Sequence, residues 1–304
     1  MNKPSQSTVG ILGLGIMGSA MSPNLRAAGF KVVGFDVSAD RMAAFTAAGG
    51  TPCASPRAVA EAADILISVL PSVKALEAVV TGTDGILSAR RAGQILIESS
   101  TLALEDKQRI RAAAAPALTL LDCPLSGTGA QAVTRDLIVY ASGDSAAIAR
   151  CKSVFEGFAR AHHDLGEFGN GSKMKFVANL LVSIHNVAAA EAFVLGMKAG
   201  LDPEVIYRVV GDGAGGSRMF TVRGPQMIAD VYEPATMKVA IWQKDMKIIS
   251  EFATSLNCPT PLLNACAPVY TTAMAHGFGE LDTASVCSVL ADMAQLNRGE
   301  QETD

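Results

Sequence analysis

The sequence predicts an α/β domain with a doubly wound parallel sheet, followed by an all-α domain. Three observations carry this. Short β-branched runs alternate with alanine-rich helical stretches through the first half. Those runs are apolar along nearly their whole length, the pattern of strands covered on both faces. Beyond about residue 166 the strand signals stop, and only long helical patterns follow. A length of 304 residues accommodates two medium domains.

In chain order, Val9–Leu12, Lys31–Val37, Ile65–Leu70, Gln94–Glu98 and Thr119–Asp122 read as strands. Helical periodicity fills 16–29, 38–48, 55–63, 72–80 and 103–115 between them. Leu137–Ala141 reads as a further strand and 145–160 as another helix. In the second half, helical patterns run over 171–200, 203–211, 236–256, 260–277 and 282–294. Asp202-Pro203 marks a stop and restart, with Asp202 suited to an N-cap and Pro203 to the first helical position. The boundary is expected near Gly166–Gly171, giving domains over 1–166 and 167–304. The polar tail Arg298–Asp304 is expected to fray.

Apolar residues make up 49% of the chain and charged residues 18%, enough for a sizeable core. With 25 basic against 29 acidic side chains the net charge is -4, which with no Lys/Arg run or zinc-finger spacing rules out a strong nucleic-acid footprint. The six cysteines are scattered, with no CxxC pair, and read as reduced thiols of a cytoplasmic protein. The opening MNKPSQSTVGILG lacks the layout of a signal peptide. Phe176–Leu201 is apolar enough to raise a membrane question. Asn179, His185, Asn186, Glu191 and Lys198 interrupt it, so a buried helix and no membrane span are expected. His162, His163, His185 and His276 show no metal-ligand spacing, and no metal is expected.

Gly13-Leu14-Gly15-Ile16-Met17-Gly18 follows the first strand and opens the first helix, with an acid, Asp36, about 20 residues on. In a Rossmann-type domain Gly13 allows the tight turn, Gly15 lets backbone approach a pyrophosphate, and Gly18 permits close helix–strand packing. The free N–H groups at the helix start hold the phosphate charge. A carboxylate at Asp36 accepts from the adenine-ribose hydroxyls and repels a 2′-phosphate, so NAD is expected over NADP. Arg41, five residues on, is the residue that could serve a phosphate instead.

The run Gly10-Ile-Leu-Gly-Leu-Gly-Ile-Met-Gly18, with Met21 and Asn24, resembles the opening signature of the β-hydroxyacid dehydrogenases, which include 3-hydroxyisobutyrate dehydrogenase, tartronate semialdehyde reductase and threonate dehydrogenase. Three further blocks agree: Asp122-Cys-Pro-Leu-Ser-Gly127, Gly169-Asn-Gly-Ser-Lys-Met-Lys175 with Asn179, and Lys244-Asp245. The resemblance covers residues 8 to about 295.

It implies that Lys175 is the general acid/base of hydride transfer between nicotinamide and a carbinol carbon. Desolvation in a closed cleft would lower an ammonium from about 10.4 toward working pH. Asn179 lies one helical turn further on and, by resemblance, orients the lysine or binds substrate. Lys173 reads as a solvated lysine. Ser126 and Gly127, just past a strand end, match the loop that grips the substrate carboxylate. Thr128 stands where the family pattern has a second glycine, and Arg135 where a glycine is common. Leu70-Pro71 and Thr101 match turns beside the cofactor riboses and nicotinamide, and Lys244 matches a lysine that closes over the cofactor.

The glycine-rich connection from Gly211 to Phe220 resembles a loop shaping the substrate end of the cleft, nearer the threonate-type and semialdehyde-reductase branches. Arg218 in it could take a second carboxylate or a polyol hydroxyl, or could be a surface arginine. A non-catalytic dinucleotide-binding module and an imine reductase share this architecture. Lys175, Asn179 and Ser126 together argue against the first. The lysine argues against the second, since imine reductases usually lack it. The long apolar helix over 171–200 suggests a homodimer or homotetramer.

Overall fold

The computed structural model describes residues 7–298; the first six residues and the tail 299–304, with most of the opening and frayed-end expectations, lie outside the described residues. Arg298, counted in the expected fraying, is instead held: its Nη1 donates to Asp230 Oδ1 at 2.8 Å. The chain divides into two compact units, the first ending at Lys175 and the second starting at Phe176.

In the first unit, β1 (Thr8–Leu12), β2 (Lys31–Phe35), β3 (Thr51–Pro52), β4 (Ile65–Ser68), β5 (Gln94–Glu98) and β6 (Leu118–Asp122) form one sheet. Its order is β3-β2-β1-β4-β5-β6, and every neighbouring pair is parallel. The connections are α1 (Ile16–Ala27), α2 (Ala39–Ala47), α3 (Pro56–Ala62), α4 (Val73–Thr81) and α5 (Leu104–Ala114). The two-residue period of a strand explains the near-continuous apolar runs. Val9, Ile11, Ile67, Ile95, Ile97 and Leu121 pack on one face with Met21 and Leu25 of α1. Leu12, Leu66, Leu96 and Leu120 pack on the other with Val59, Leu76 and Ile110 of α3, α4 and α5. Each such side chain, fully buried, contributes about 2 kcal/mol of transfer free energy. The order reverses between β1 and β4, which opens a crevice at the carboxyl ends of those strands.

A second sheet of three short strands completes this unit: β7 (Leu125–Ser126), β8 (Ile138–Ala141) and β9 (Ala161–Asp164). β7 pairs antiparallel with β8, and β8 parallel with β9. α6 (Gly129–Val133) and α7 (Ser145–Phe158) connect them. Arg135, between α6 and β8, takes φ +61°, the left-handed conformation that glycine adopts most cheaply.

α8 (Asn170–Lys198) begins in the first unit and continues into the second, which adds α9 (Pro203–Asp212), α10 (Arg218–Ala229), α11 (Val239–Ser255), α12 (Pro261–Ala275) and α13 (Val286–Met293). Asp202 caps α9 by accepting from Glu204 N at 2.9 Å, with Pro203 at the first position. By length and composition α8 could cross a membrane. Here Phe176, Val187, Ala190, Phe193 and Val194 of α8 pack in the second unit's core with Trp242, Met246 and Tyr270.

The helical half differs from the sequence reading at two places. Ser217, which accepts from Phe220 N at 3.0 Å, caps α10, so Arg218 and Phe220 belong to a helix and the glycine-rich connection shrinks to 213–217. The helix passes through Gly224-Pro225. Pro225 cannot donate to the Thr221 carbonyl, and Tyr207 Oη donates there instead at 2.9 Å. The helix expected over 282–294 is a 3-10 turn at Thr283–Ser285 leading into α13.

Candidate active site

The glycine turn lies at the carboxyl end of β1, beside the reversal in strand order. Gly13 has φ +96°, and a Cβ there would sit 2.2 Å from the Val69 carbonyl oxygen. A Cβ on Gly18 would sit 2.0 Å from the Gly13 oxygen, so only glycine lets α1 start this close to the turn. Above Gly15 the nearest atom to such a Cβ is Arg41 Nη1 at 3.9 Å, which leaves open the space a phosphate would need. Gly15 is the N-cap of α1 and no side chain caps it, whereas Ser38, Ser55 and Ser72 cap α2, α3 and α4. The backbone N–H groups of this first turn and the helix dipole fit a dinucleotide pyrophosphate.

Asp36 follows β2 and is buried. Its Oδ2 accepts from Leu14 N at 2.7 Å, and its Oδ1 accepts from Ser38 N at 2.9 Å. Arg41 Nη1 lies 3.5 Å from Oδ2 on a half-exposed side chain, so it sits against the carboxylate. Leu70, beyond β4, donates its N–H to Ser100 Oγ at 2.8 Å, and Ser100 N donates to Glu98 Oε1 at 2.9 Å. This ties the turn of Leu70 and Pro71 to the end of β5, next to Thr101. Ser100 is a fixing residue that the sequence reading did not assign.

Ser126 ends β7, and Gly127 takes φ +132°, with a would-be Cβ 2.6 Å from Leu137 Cδ2. The special backbone conformation is therefore at 127. Thr128, with φ -100°, needs no glycine and serves as the N-cap of α6, its N–H donating to Gln131 Oε1 at 3.0 Å. A Cβ on Gly129 would meet Ile16 Cγ2 at 2.4 Å, so the start of α6 abuts the glycine motif. Asn24 of α1 locks the other end, donating from Nδ2 to Ala132 O at 2.7 Å. The loops at 13–18 and 126–128 are thus braced against each other within one unit.

Lys175 is half-buried and lies within α8; Asn179, buried, follows one turn later on that helix. Lys173 is exposed and its Nζ bonds Asn170 Oδ1 at 3.1 Å. In the second unit Asn179 Nδ2 donates to Asp245 Oδ2 at 3.2 Å, and Lys244 Nζ lies 3.2 Å from Asp245 Oδ1. Asp245 thereby gathers Asn179 and Lys244, a role the sequence reading did not assign although Asp245 stands in one of its motif blocks. Arg218 is exposed at the first position of α10. Among the described residues no group of three or more His, Cys, Asp or Glu is placed to hold a metal ion.

The model of the NAD binding domain of 6-phosphogluconate dehydrogenase matches residues 8–168, and that of the NAD-binding domain of NADP-dependent 3-hydroxyisobutyrate dehydrogenase matches 169–290. An L-threonate dehydrogenase of Cupriavidus necator is 32% identical over 283 residues, covering 92% of this chain and 95% of that one. The crystal structure of a 3-hydroxyisobutyrate dehydrogenase from Salmonella typhimurium superposes with a TM-score of 0.84 at 32% identity, over 93% of this chain and 99% of that one. An imine reductase from Pseudomonas sp. shares the fold at a TM-score of 0.53 and 18% identity, over 94% of this chain and 100% of that one.

Proposed function

The chain belongs to the β-hydroxyacid dehydrogenase family, and from that premise we propose that it oxidises a small β-hydroxy acid with NAD, or reduces the matching carbonyl acid, using Lys175 as general acid/base. Hydride exchange between nicotinamide and the carbinol carbon is the chemistry the bound dinucleotide supplies. The chain's own task is the proton. In the oxidising direction the Lys175 amine takes the hydroxyl proton; in the reducing direction its ammonium returns one to the carbonyl oxygen. Asn179 orients the substrate or the lysine from one turn away. The observation that carries this reading is the register of α8, which puts Lys175 and Asn179 a turn apart, with Asn179 held by Asp245.

NAD over NADP is supported by the buried Asp36 carboxylate, which a 2′-phosphate would oppose, with Arg41 drawn against it. Gly13, Leu14, Gly15, Ile16, Met17 and Gly18 are assigned to the pyrophosphate, Leu70 and Pro71 to the adenosine and nicotinamide riboses, Thr101 to the nicotinamide, and Lys244 to the cofactor from the second unit. Ser126, Gly127 and Thr128 are assigned to the substrate carboxylate. Arg218 is assigned to a further polar group, which favours a threonate-type polyhydroxy acid over 3-hydroxyisobutyrate. The L-threonate dehydrogenase likeness supports the same choice. Residues 1–166 are read as the cofactor domain and 167–304 as the substrate and oligomerisation domain.

A homodimer or homotetramer is supported by the exposed apolar residues Val177, Leu181 and Leu195 along α8. The cytoplasmic reading rests on the scattered cysteines. The test is absorbance at 340 nm with NAD or NADP and a panel of L-threonate, 3-hydroxyisobutyrate, glycerate, 4-hydroxybutyrate and phenylserine. NADH formation on one acid, abolished in Lys175→Ala, is the expected result. Silence across the panel with intact NADH binding would move the assignment toward a non-catalytic module.

A further inference from the structure

Glu98 and Asp122 are the last residues of β5 and β6 and stand opposite each other in the parallel register. Both are fully buried, and so is Lys107 of α5, whose Nζ lies 2.6 Å from Glu98 Oε2 and 2.8 Å from Asp122 Oδ1. One ammonium between two carboxylates leaves a net charge of about -1 in a medium that screens poorly, a costly arrangement unless something offsets the remainder.

The offset comes from the start of α8. Ser172 N donates to Asp122 Oδ2 at 2.7 Å, and Ser172 Oγ donates to Oδ1 at 2.7 Å. Gly171 N donates to Ser142 Oγ at 2.9 Å, and that hydroxyl donates to the Asp122 carbonyl at 3.0 Å. The positive end of a 29-residue helix is thus held on the carboxylate. Gly171 is pressed close as well: a Cβ there would lie 2.3 Å from Tyr140 O and 2.6 Å from Asp122 O. Lys175 is three residues beyond Ser172, less than one helical turn. On the other side Glu98 Oε1 accepts from Ser100 N, and Ser100 Oγ accepts from Leu70 N. One unbroken chain of polar contacts therefore runs from the Leu70 turn through Ser100, Glu98, Lys107 and Asp122 to the first turn of the helix that carries Lys175.

We propose that Asp122, held in place by Lys107, is a positioning residue: it anchors the first turn of α8 and so sets where the Lys175 amine is presented. This rests on the reading of Lys175 as the acid/base. Burial alone would depress the Lys107 ammonium, but Asp122 and Glu98 outweigh it and hold it above the ordinary lysine range. The Lys107 ammonium therefore stays charged at any pH where the enzyme would work.

The test is Asp122→Asn. It leaves Glu98 and Lys107 as a balanced pair but replaces one of the two carboxylate oxygens with an amide N–H2, so that either Ser172 N or Lys107 Nζ loses its acceptor and the anchor is weakened. Ser172→Ala, which removes one contact and keeps the charge, is the milder variant should Asp122→Asn fail to fold. Lys173→Ala, an exposed neighbour on the same turn, is the control. Kinetics with the panel acid oxidised fastest should show kcat lowered about thirtyfold in Asp122→Asn and several-fold in Ser172→Ala. KM for NAD should stay within twofold, and the pH midpoint of kcat/KM should move. Hydrogen exchange, which needs no substrate, should quicken across 170–176 while β1 and β4 keep their protection. Wild-type kcat, pH midpoint and exchange in both variants would overturn the proposal. If the wild-type protein oxidises no acid in the panel, the functional reading fails. The anchor is then judged by exchange alone: faster exchange confined to 170–176 supports it, and unchanged exchange removes it.

Discussion

The Leu14 N–H donates to Asp36 Oδ2 across 2.7 Å, joining the glycine turn after β1 to the residue that follows β2. The carboxylate that would read the adenosine ribose is therefore oriented by the same loop that would hold the pyrophosphate. In Asp36→Ser this brace and the negative charge go together, and Arg41 is released from its partner. We expect KM for NAD to rise at least tenfold and KM for NADP to fall, measured by steady-state kinetics with each cofactor. An unchanged ratio of the two would reject Asp36 as the discriminating residue.

Proton bookkeeping at Lys175 fixes the sign of the pH dependence. Oxidation needs the neutral amine, so kcat/KM for the hydroxy acid should rise with pH along a one-proton curve. Reduction needs the ammonium and should fall along the same curve. Initial rates in both directions between pH 6 and about 10 would check this. Parallel slopes in the two directions would exclude Lys175 as the acid/base.

Asn24 offers a probe, from outside it, of the loop proposed to hold the substrate. Its amide closes the end of α6 on Ala132 O at 2.7 Å, behind Thr128. Asn24→Ala should cost about 1 kcal/mol of stability and loosen the 126–128 turn. KM for the hydroxy acid is expected to rise several-fold with KM for NAD nearly constant. Equal effects on both constants would mean that α6 does not transmit to substrate.

The thiols sort by burial. Desolvation pushes Cys151 up to about 12 and Cys287 up to about 11, and raises Cys123, Cys266 and Cys53 as well. At pH 8 this keeps Cys151 overwhelmingly as thiol. Cys258 is exposed. Iodoacetamide at pH 8, followed by peptide mass analysis, should find a single fast adduct at Cys258. Native-state labelling of Cys151 or Cys287 at a comparable rate would contradict this burial.

What was legible in the sequence was local. The glycine motif, the β-branched strands and the long helix that carries Lys175 and Asn179 each lie within a window short enough for spacing to specify them. Three of the short strands were not legible: Thr51–Pro52 and Leu125–Ser126 are too short for any period, and three of the four residues of Ala161–Asp164 are histidine or aspartate. α10 was hidden by Gly224-Pro225, because the substitute donor for Thr221 is Tyr207, on a different helix. Partnerships were the least visible. Asp245 meets Asn179 across 66 positions, and Ser172 meets Asp122 across 50. No single sequence carries a periodic signal for such pairs.

The buried triad also bears on how the sheet assembles. The register that sets Glu98 opposite Asp122 would, if β6 joined β5 first, enclose two uncompensated carboxylates at a cost of several kcal/mol. Lys107 is delivered by α5, the helix that links those two strands in the chain. Strand, helix and strand are therefore expected to close together, and pulsed hydrogen exchange during refolding should find α5 and β6 gaining protection in one phase. The ammonium thus ties the crossover together: a β6 edge paired without α5 seated would leave both carboxylates buried and uncompensated.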